Sequence, residues 1–315
     1  MIYNWQHNDY QHLAASFQQG RLSALLLDGA KHSGYSELIQ ALIKFMLCLE
    51  PQANQACGNC SSCILFELNN HPDYYVLAGE TDEKKTAPIK VEQVRQAIEF
   101  AATSAHAANL KVIYLPDANQ LNLNSANALL KILEEPPQQC RFILYASNKN
   151  RILPTIRSRC LDFRLATPSV SDAGLVVGEL ENKDFWLNYY DGEPFFVVPF
   201  TTEQFSCLLN CLLRPSIDNI FAVSKNLDPK KVGMAQLLDF ILKWLADLLA
   251  LQQLAQANYF SAHQEQIKVL LPRLNLDELF QFNQELVLLR EWSEHPLNQK
   301  LQLEALLFKY QQLFK

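Results

Sequence analysis

The sequence carries no excess of positive charge. Its formal net charge is -6 and its pI about 5.7. That balance disfavours autonomous, electrostatically driven binding to nucleic acid, although a local basic strip remains compatible with it. It also lacks an uninterrupted apolar run long enough to span a bilayer. The longest, Leu237 to Leu254, is broken by Asp239, Lys243 and Asp247, so no membrane association is expected. No secretory signal pattern opens the chain, and no internal repeat or low-complexity tract interrupts it. Eight cysteines in a chain without such a signal fit a reduced, cytoplasmic protein whose clustered thiols bind metal.

What the chain does contain begins with Leu25-Leu26-Leu27-Asp28-Gly29-Ala30-Lys31-His32-Ser33-Gly34-Tyr35-Ser36. This reads as a buried strand, a glycine-flanked loop and a helix from about Ser36 to Cys48. Gly29, Gly34 and Ser36 are in register with a phosphate-binding P-loop, in which backbone N–H groups and a helix N-terminus hold phosphates and a lysine neutralises them. The lysine position is Tyr35, a bulky group without charge at neutral pH. Lys31 lies four residues too early to replace it in the usual geometry. The loop is therefore expected to be degenerate; a working loop using Lys31 and a coincidental glycine spacing are the alternatives. A P-loop enzyme also needs paired acids after a buried strand. Val112-Ile113-Tyr114-Leu115-Pro116 delivers Asp117, but Ala118 follows, so the residue that would activate water is missing. Asp117 alone suits a helix N-cap better than Mg²⁺.

The strongest metal signal is Cys57-x2-Cys60-x2-Cys63 with Cys48 upstream. Thiolates so spaced converge on tetrahedral zinc, and four of them leave no open position for catalysis. Cys48 is the preferred fourth ligand, with His71 as its competitor. Cys140, Cys160, Cys207 and Cys211 read as core cysteines. Ser158-Arg159-Cys160 stands among Arg151, Arg157 and Arg164. An arginine there could reach a neighbour's phosphate, and an ordinary surface ion pair accounts for the spacing equally well.

The organisation follows from periodicity. A first helix spans Tyr10 to Gln18, with Gly20 as its C-cap. Strands are expected at Arg21–Leu27, His71–Leu77, Val112–Leu115 and Phe142–Ala146. Helices are expected around Val91–Ala101 and Asn124–Leu133, and a short helical piece at Leu153–Cys160. Thr81 to Lys90 reads as a loop. Alternating strands and helices imply a parallel α/β sheet with ligands at the strand C-terminal ends. After about Thr167 a small mixed segment runs to Phe200, with a turn at Asp191-Gly192-Glu193-Pro194. The remainder is leucine-rich and helical, with stripes at Leu237, Leu238, Ile241, Leu245, Leu248 and Leu249, and at Leu301, Ala305, Leu306 and Phe308.

Together, Gly20–Leu27, the clustered cysteines, His71-Pro72-Asp73-Tyr74, Ser125–Pro137, Thr155–Cys160 and Asn298–Leu307 resemble the clamp-loader branch of AAA+ proteins. The motifs lie mainly in residues 1–165, and the middle of the chain matches weakly. The resemblance implies a degenerate AAA+ domain at 1–166 with a zinc module at 48–63, a small lid at 167–200 and a helical collar at 201–315. It implies a non-catalytic stator that places Arg159 against ATP held by a neighbour, within a hetero-oligomeric ring of the bacterial DNA polymerase III holoenzyme. The implied partners are ATPase (gamma/tau) and delta subunits and, through the complex, the sliding clamp (beta) and primed DNA. Zinc is the implied cofactor, and ATP binding is not expected. The related ATPases carry a lid arginine after a Gly-x-Pro turn, whereas Asp191-Gly192-Glu193-Pro194-Phe195-Phe196 offers none. A divergent ATPase using Lys31 and a stand-alone zinc-dependent DNA-binding protein are the competing readings.

Overall fold

A computed structural model describes residues 2–79, 81–82, 85–254, 256–291 and 298–314. The chain divides into two compact units. One comprises 1–176 with 193–195, the other 177–192 with 196–315.

The first unit runs α1 (His7–Gln18), β1 (Ala24–Asp28), α2 (Tyr35–Leu47), α3 (Ser61–Glu67), β2 (Tyr74–Val76), α4 (Val91–Ala102), β3 (Lys111–Leu115), α5 (Leu123–Glu134), β4 (Cys140–Ala146), α6 (Pro154–Arg157), β5 (Leu161–Arg164) and α7 (Val170–Val177). The sheet order is β2-β3-β4-β1-β5, and every pair is parallel. Its two faces alternate along each strand, as a period of two requires. Leu26, Ile113, Phe142 and Leu144 pack with Val94, Ala97, Leu129 and Ile132 of α4 and α5. Leu25, Leu27, Val112 and Ile143 pack with Leu13, Leu38, Ile39 and Leu42 of α1 and α2. Burial on both faces is why these strands read as continuous apolar runs. The expected parallel α/β architecture is present. Within the stretch expected to be a loop, Thr81–Asp82 and Lys85–Thr86 form a short antiparallel pair, and residues 83–84 lie outside the described part.

The second unit is helical: α8 (Lys183–Tyr189), α9 (Thr202–Leu213), α10 (Ile217–Asn226), α11 (Pro229–Val232), α12 (Met234–Leu254), α13 (Gln264–Lys268), α14 (Leu276–Glu291) and α15 (Gln299–Gln312). Helix α12 is its axis. Leu237, Leu238, Ile241, Leu245 and Leu248 are buried, and so are Phe240, Trp244 and Asp247 on its other sides. The Asp247 carboxylate accepts N–H bonds from Asn258, Tyr259 and Phe260, which accounts for an acid in a core. The stripe expected on α15 needs correction. Leu303, Leu306, Leu307 and Tyr310 face inward, while Leu301 is 60% exposed and Ala305 is exposed. The Tyr310 hydroxyl fixes this face by donating to the Leu212 carbonyl at 2.8 Å and accepting from Trp244 Nε1 at 2.8 Å. Among the described residues no helix is long and apolar enough to cross a membrane.

A closed P-loop, a cysteine cluster and a half-buried arginine

The loop after β1 has the P-loop course. Gly34 adopts φ +71° and caps α2, a conformation that glycine reaches without strain. A side chain there would run into the rings of Phe195 and Tyr3, and one at Gly29 would meet the ring of Tyr35. Tyr35 is buried, and its hydroxyl donates to the Ala166 carbonyl at 2.7 Å. Burial pushes the phenol up to about 12, so it is neutral at physiological pH. Part of the loop's polar backbone is already engaged. His32 N–H donates to Glu193 Oε2 at 2.7 Å, and His32 C=O accepts from Phe195 N–H at 2.8 Å. Gln6 Nε2 donates to the carbonyls of Ser33 and Gly34 at 3.2 and 2.7 Å. A carboxylate of the chain itself thus takes a loop amide that a phosphate would use. Lys31 is exposed on the loop, and Ser36 is exposed in the first turn of α2.

Asp117, at the end of β3, caps a short 3-10 turn over Ala118–Gln120. It accepts from Asn119 N–H at 3.0 Å and from Gln120 Nε2 at 3.2 Å. Beside it, Asn119 Nδ2 donates to the Asn148 carbonyl at 2.8 Å and Ser147 Oγ donates to Asn119 Oδ1 at 3.2 Å. Lys149 lies 3.6 Å from Asp28 and 3.2 Å from Asp162. Sequence reasoning did not single out Glu193, Gln6, Ser147, Asn148 or Lys149. Their position after a strand was the available signal for Ser147 to Lys149. Nothing local marked Glu193, which meets the loop across 161 residues.

Cys48, at the C-cap of α2, joins Cys57, Cys60 and Cys63 in a cluster whose sulfur atoms all lie within 4.8 Å of one another. Cys48 Sγ is 3.6 Å from that of Cys57 and 4.0 Å from that of Cys60. Metal–sulfur bonds of about 2.3 Å in a tetrahedron place sulfurs about 3.8 Å apart, so the group can hold such an ion. Backbone N–H groups of Cys57, Cys60 and Cys63 point at the sulfurs of Cys48, Cys57 and Cys60, at 3.3 to 3.4 Å. Burial raises the Cys60 thiol, but N–H groups of Cys63 and Leu49 and the neighbouring thiols outweigh it and bring it down to about 6. Burial chiefly pushes Cys63 up to about 12. His71 lies outside this cluster. Its Nε2 is 2.8 Å from Ser62 Oγ, and its Nδ1 accepts from Asp73 N–H at 3.0 Å. Cys207 and Cys211 gather no further ligand among the described residues.

Arg159 follows α6 on the surface. Its Nε donates to Glu134 Oε1 at 2.8 Å and its Nη2 donates to the same oxygen, while Nη1 donates to the Thr155 carbonyl at 2.8 Å. Arg157 is half-buried and Arg151 and Arg164 are exposed.

Residues 5–169, which contain all three features except Tyr3, Glu193 and Phe195, match the family model described as DNA polymerase III, delta subunit. A relative named DNA polymerase III subunit delta' from Escherichia coli K12 is 41% identical over 167 residues, covering 53% of this chain and 49% of that protein. One of the same name from Bacillus subtilis is 34% identical over 164 residues, 51% of this chain and 48% of the relative. The match thus spans about half the length of each. A DNA polymerase III gamma subunit-related protein from Thermotoga maritima overlays with a TM-score of 0.46 at 17% identity, covering 96% of this chain and 99% of that one. That likeness is too loose to bear on function. With more than half of its residues matched by the family model, the chain belongs to the DNA polymerase III delta-subunit family.

Proposed function

We propose that the chain is the delta-prime-type subunit of a DNA polymerase III clamp loader: a stator that does not hydrolyse ATP and supplies Arg159 in trans to a neighbouring ATPase subunit. The observation that carries this reading is the closed loop at 29–36. An incoming phosphate would have to displace the Glu193 carboxylate from the His32 amide and find a neutral, buried phenol in place of a lysine. Anions at helix N-termini are held by free N–H groups and a nearby cation; this loop offers the His32 amide only by exchange and has no cation at position 35. Arg159, by contrast, stands on the surface with a permanently charged, planar donor set.

In this reading residues 1–166 are the degenerate AAA+ domain, 167–200 the lid and 201–315 the collar through which a hetero-oligomeric ring assembles. Gamma/tau ATPase and delta subunits are the direct partners, and the sliding clamp and primed DNA are engaged through the complex in the cytoplasm. Cys48, Cys57, Cys60 and Cys63 hold one structural zinc, which ties the end of α2 to the start of α3 and takes no part in chemistry. The test is to mix the full chain with its candidate ATPase partner and measure assembly and clamp-stimulated ATP hydrolysis. The reading requires a ring that is more active with the chain than without it. ATP turnover by the isolated chain, lost on altering Lys31, would overturn it.

A further inference from the structure

Resting on the reading of Arg159 as a trans-acting arginine, we propose that Glu134 is its positioning residue, holding one edge of the guanidinium so that the rest is presented to a phosphate. Glu134 is the last residue of α5, and Glu135-Pro136-Pro137 stops the helix there. Negative charge at a helix C-terminus is unfavourable, because the exposed carbonyls carry partial negative charge. Its siting against this rule calls for a compensating cation, and Arg159 is that cation.

The pairing geometry is side-on. Nε and Nη2 both donate to Glu134 Oε1, while Nη1 donates to the Thr155 carbonyl at the end of α6, which also accepts from Ser158 Oγ at 3.1 Å. A guanidinium has five N–H groups in a fixed fork. Two contacts on the Nε side and two on Nη1, to the Thr155 carbonyl and to Ser158 Oγ at 3.3 Å, fix the plane of the group and leave one N–H of Nη2 pointing outward. The arginine is thus oriented rather than consumed.

Magnitudes separate presentation from restraint. The Glu134 and Arg159 side chains are 49% and 30% exposed. A pair so open to water holds its partner weakly and cannot keep it from a polyphosphate carrying several charges. It can remove rotamer freedom in advance, which is the part of arginine binding that is entropically unfavourable.

The experiment uses the full chain assembled with its ATPase partner and compares Glu134→Ala, Glu134→Gln, Arg159→Ala and the double Ala variant. Glu134→Ala should lower kcat by about two- to fivefold, the equivalent of the roughly 0.5–1 kcal/mol of an exposed ion pair at 1.36 kcal/mol per tenfold. KM for ATP and ring assembly should not change, and Glu134→Gln should recover most of the rate because its amide oxygen still accepts from Nε and Nη2. The double variant should be no slower than Arg159→Ala. A wild-type or faster rate in Glu134→Ala, or a further loss in the double variant, would overturn the positioning role while leaving the finger in place. A wild-type rate in Arg159→Ala would instead remove the finger reading, and this inference with it.

Discussion

The Tyr35 hydroxyl donates to the Ala166 carbonyl at 2.7 Å across 131 residues. The residue in the lysine position of a phosphate loop is therefore directed into the protein. It joins the start of α2 to the segment just after β5, and its ring lies against Gly29 and near that of Tyr145, with centroids 6.3 Å apart. A group that would neutralise phosphate in an ATPase here closes the core beneath the loop.

The first expectation concerns nucleotide. The isolated chain should give no binding heat with MgATP, and neither should Tyr35→Lys, because Glu193 still holds the His32 amide. Binding should first be seen in Tyr35→Lys combined with Glu193→Ala. Tyr35→Phe should cost about 1 kcal/mol, the net worth of one hydrogen bond, in a denaturant titration. Micromolar ATP binding by the unaltered chain would contradict this account of the loop.

Metal content is the second. Elemental analysis of protein purified without chelators should give one zinc per chain, and Cys60→Ser should lower it while the sheet stays folded. His71→Ala should keep its zinc, because both ring nitrogens serve Ser62 and Asp73 rather than the cluster. Loss of zinc in His71→Ala with full retention in Cys48→Ala would assign the fourth ligand the other way.

Asp73 supplies a pH-dependent test. It is fully buried, and its carboxylate accepts N–H bonds from His106, Ala107 and Ala108 at 2.7, 2.6 and 2.8 Å. Burial alone would raise its pKa, but the three N–H bonds outweigh burial and hold it below the ordinary carboxylate value. With the folded value depressed, the stabilisation is complete above the unfolded pKa of about 4 and is lost as pH falls from there through the folded value. Asp73→Asn should therefore destabilise the protein at pH 7 by about 2–3 kcal/mol, the scale of hydrogen bonds to a charged group. It should also flatten the loss of stability below about pH 4. An unchanged acid limb in the variant would show that other carboxylates govern it.

The sequence disclosed what depends on short-range pattern. Leu25–Leu27 and Phe142–Leu144 read as strands because both sheet faces are covered, and the Gly29 and Gly34 spacing marked the loop before α2. The cysteine spacing disclosed its cluster, since α2 and α3 need only a short connection to bring the thiols together. The partners that give the site its character were not legible. Glu193 reaches His32, and Glu134 reaches Arg159, across separations of 161 and 25 residues. No periodicity encodes such meetings. On α15, leucine on several sides let spacing alone pick the stripe through Leu301 and Ala305, and the long-range bond from Tyr310 to Leu212 goes with the face that is buried instead.

The last expectation separates the arginines. Trans arginines in NTPases accelerate phosphoryl transfer by roughly 10³–10⁵. A ring with several ATP sites loses only the one facing this subunit, so the overall fall should be smaller than that. Arg159→Ala should assemble and bind the clamp normally, yet slow ATP hydrolysis and clamp loading. Arg159→Lys should rescue poorly. An ammonium is a point charge and cannot donate to Glu134 and the Thr155 carbonyl through one rigid plane while still presenting an N–H to phosphate. Arg157, at the end of α6, is half-buried as Arg159 is, so burial does not separate the two, and Arg157→Ala is expected to leave hydrolysis near wild type in an assembled ring. Should Arg157→Ala slow hydrolysis in a fully assembled ring while Arg159→Ala disrupts assembly, the two roles are exchanged.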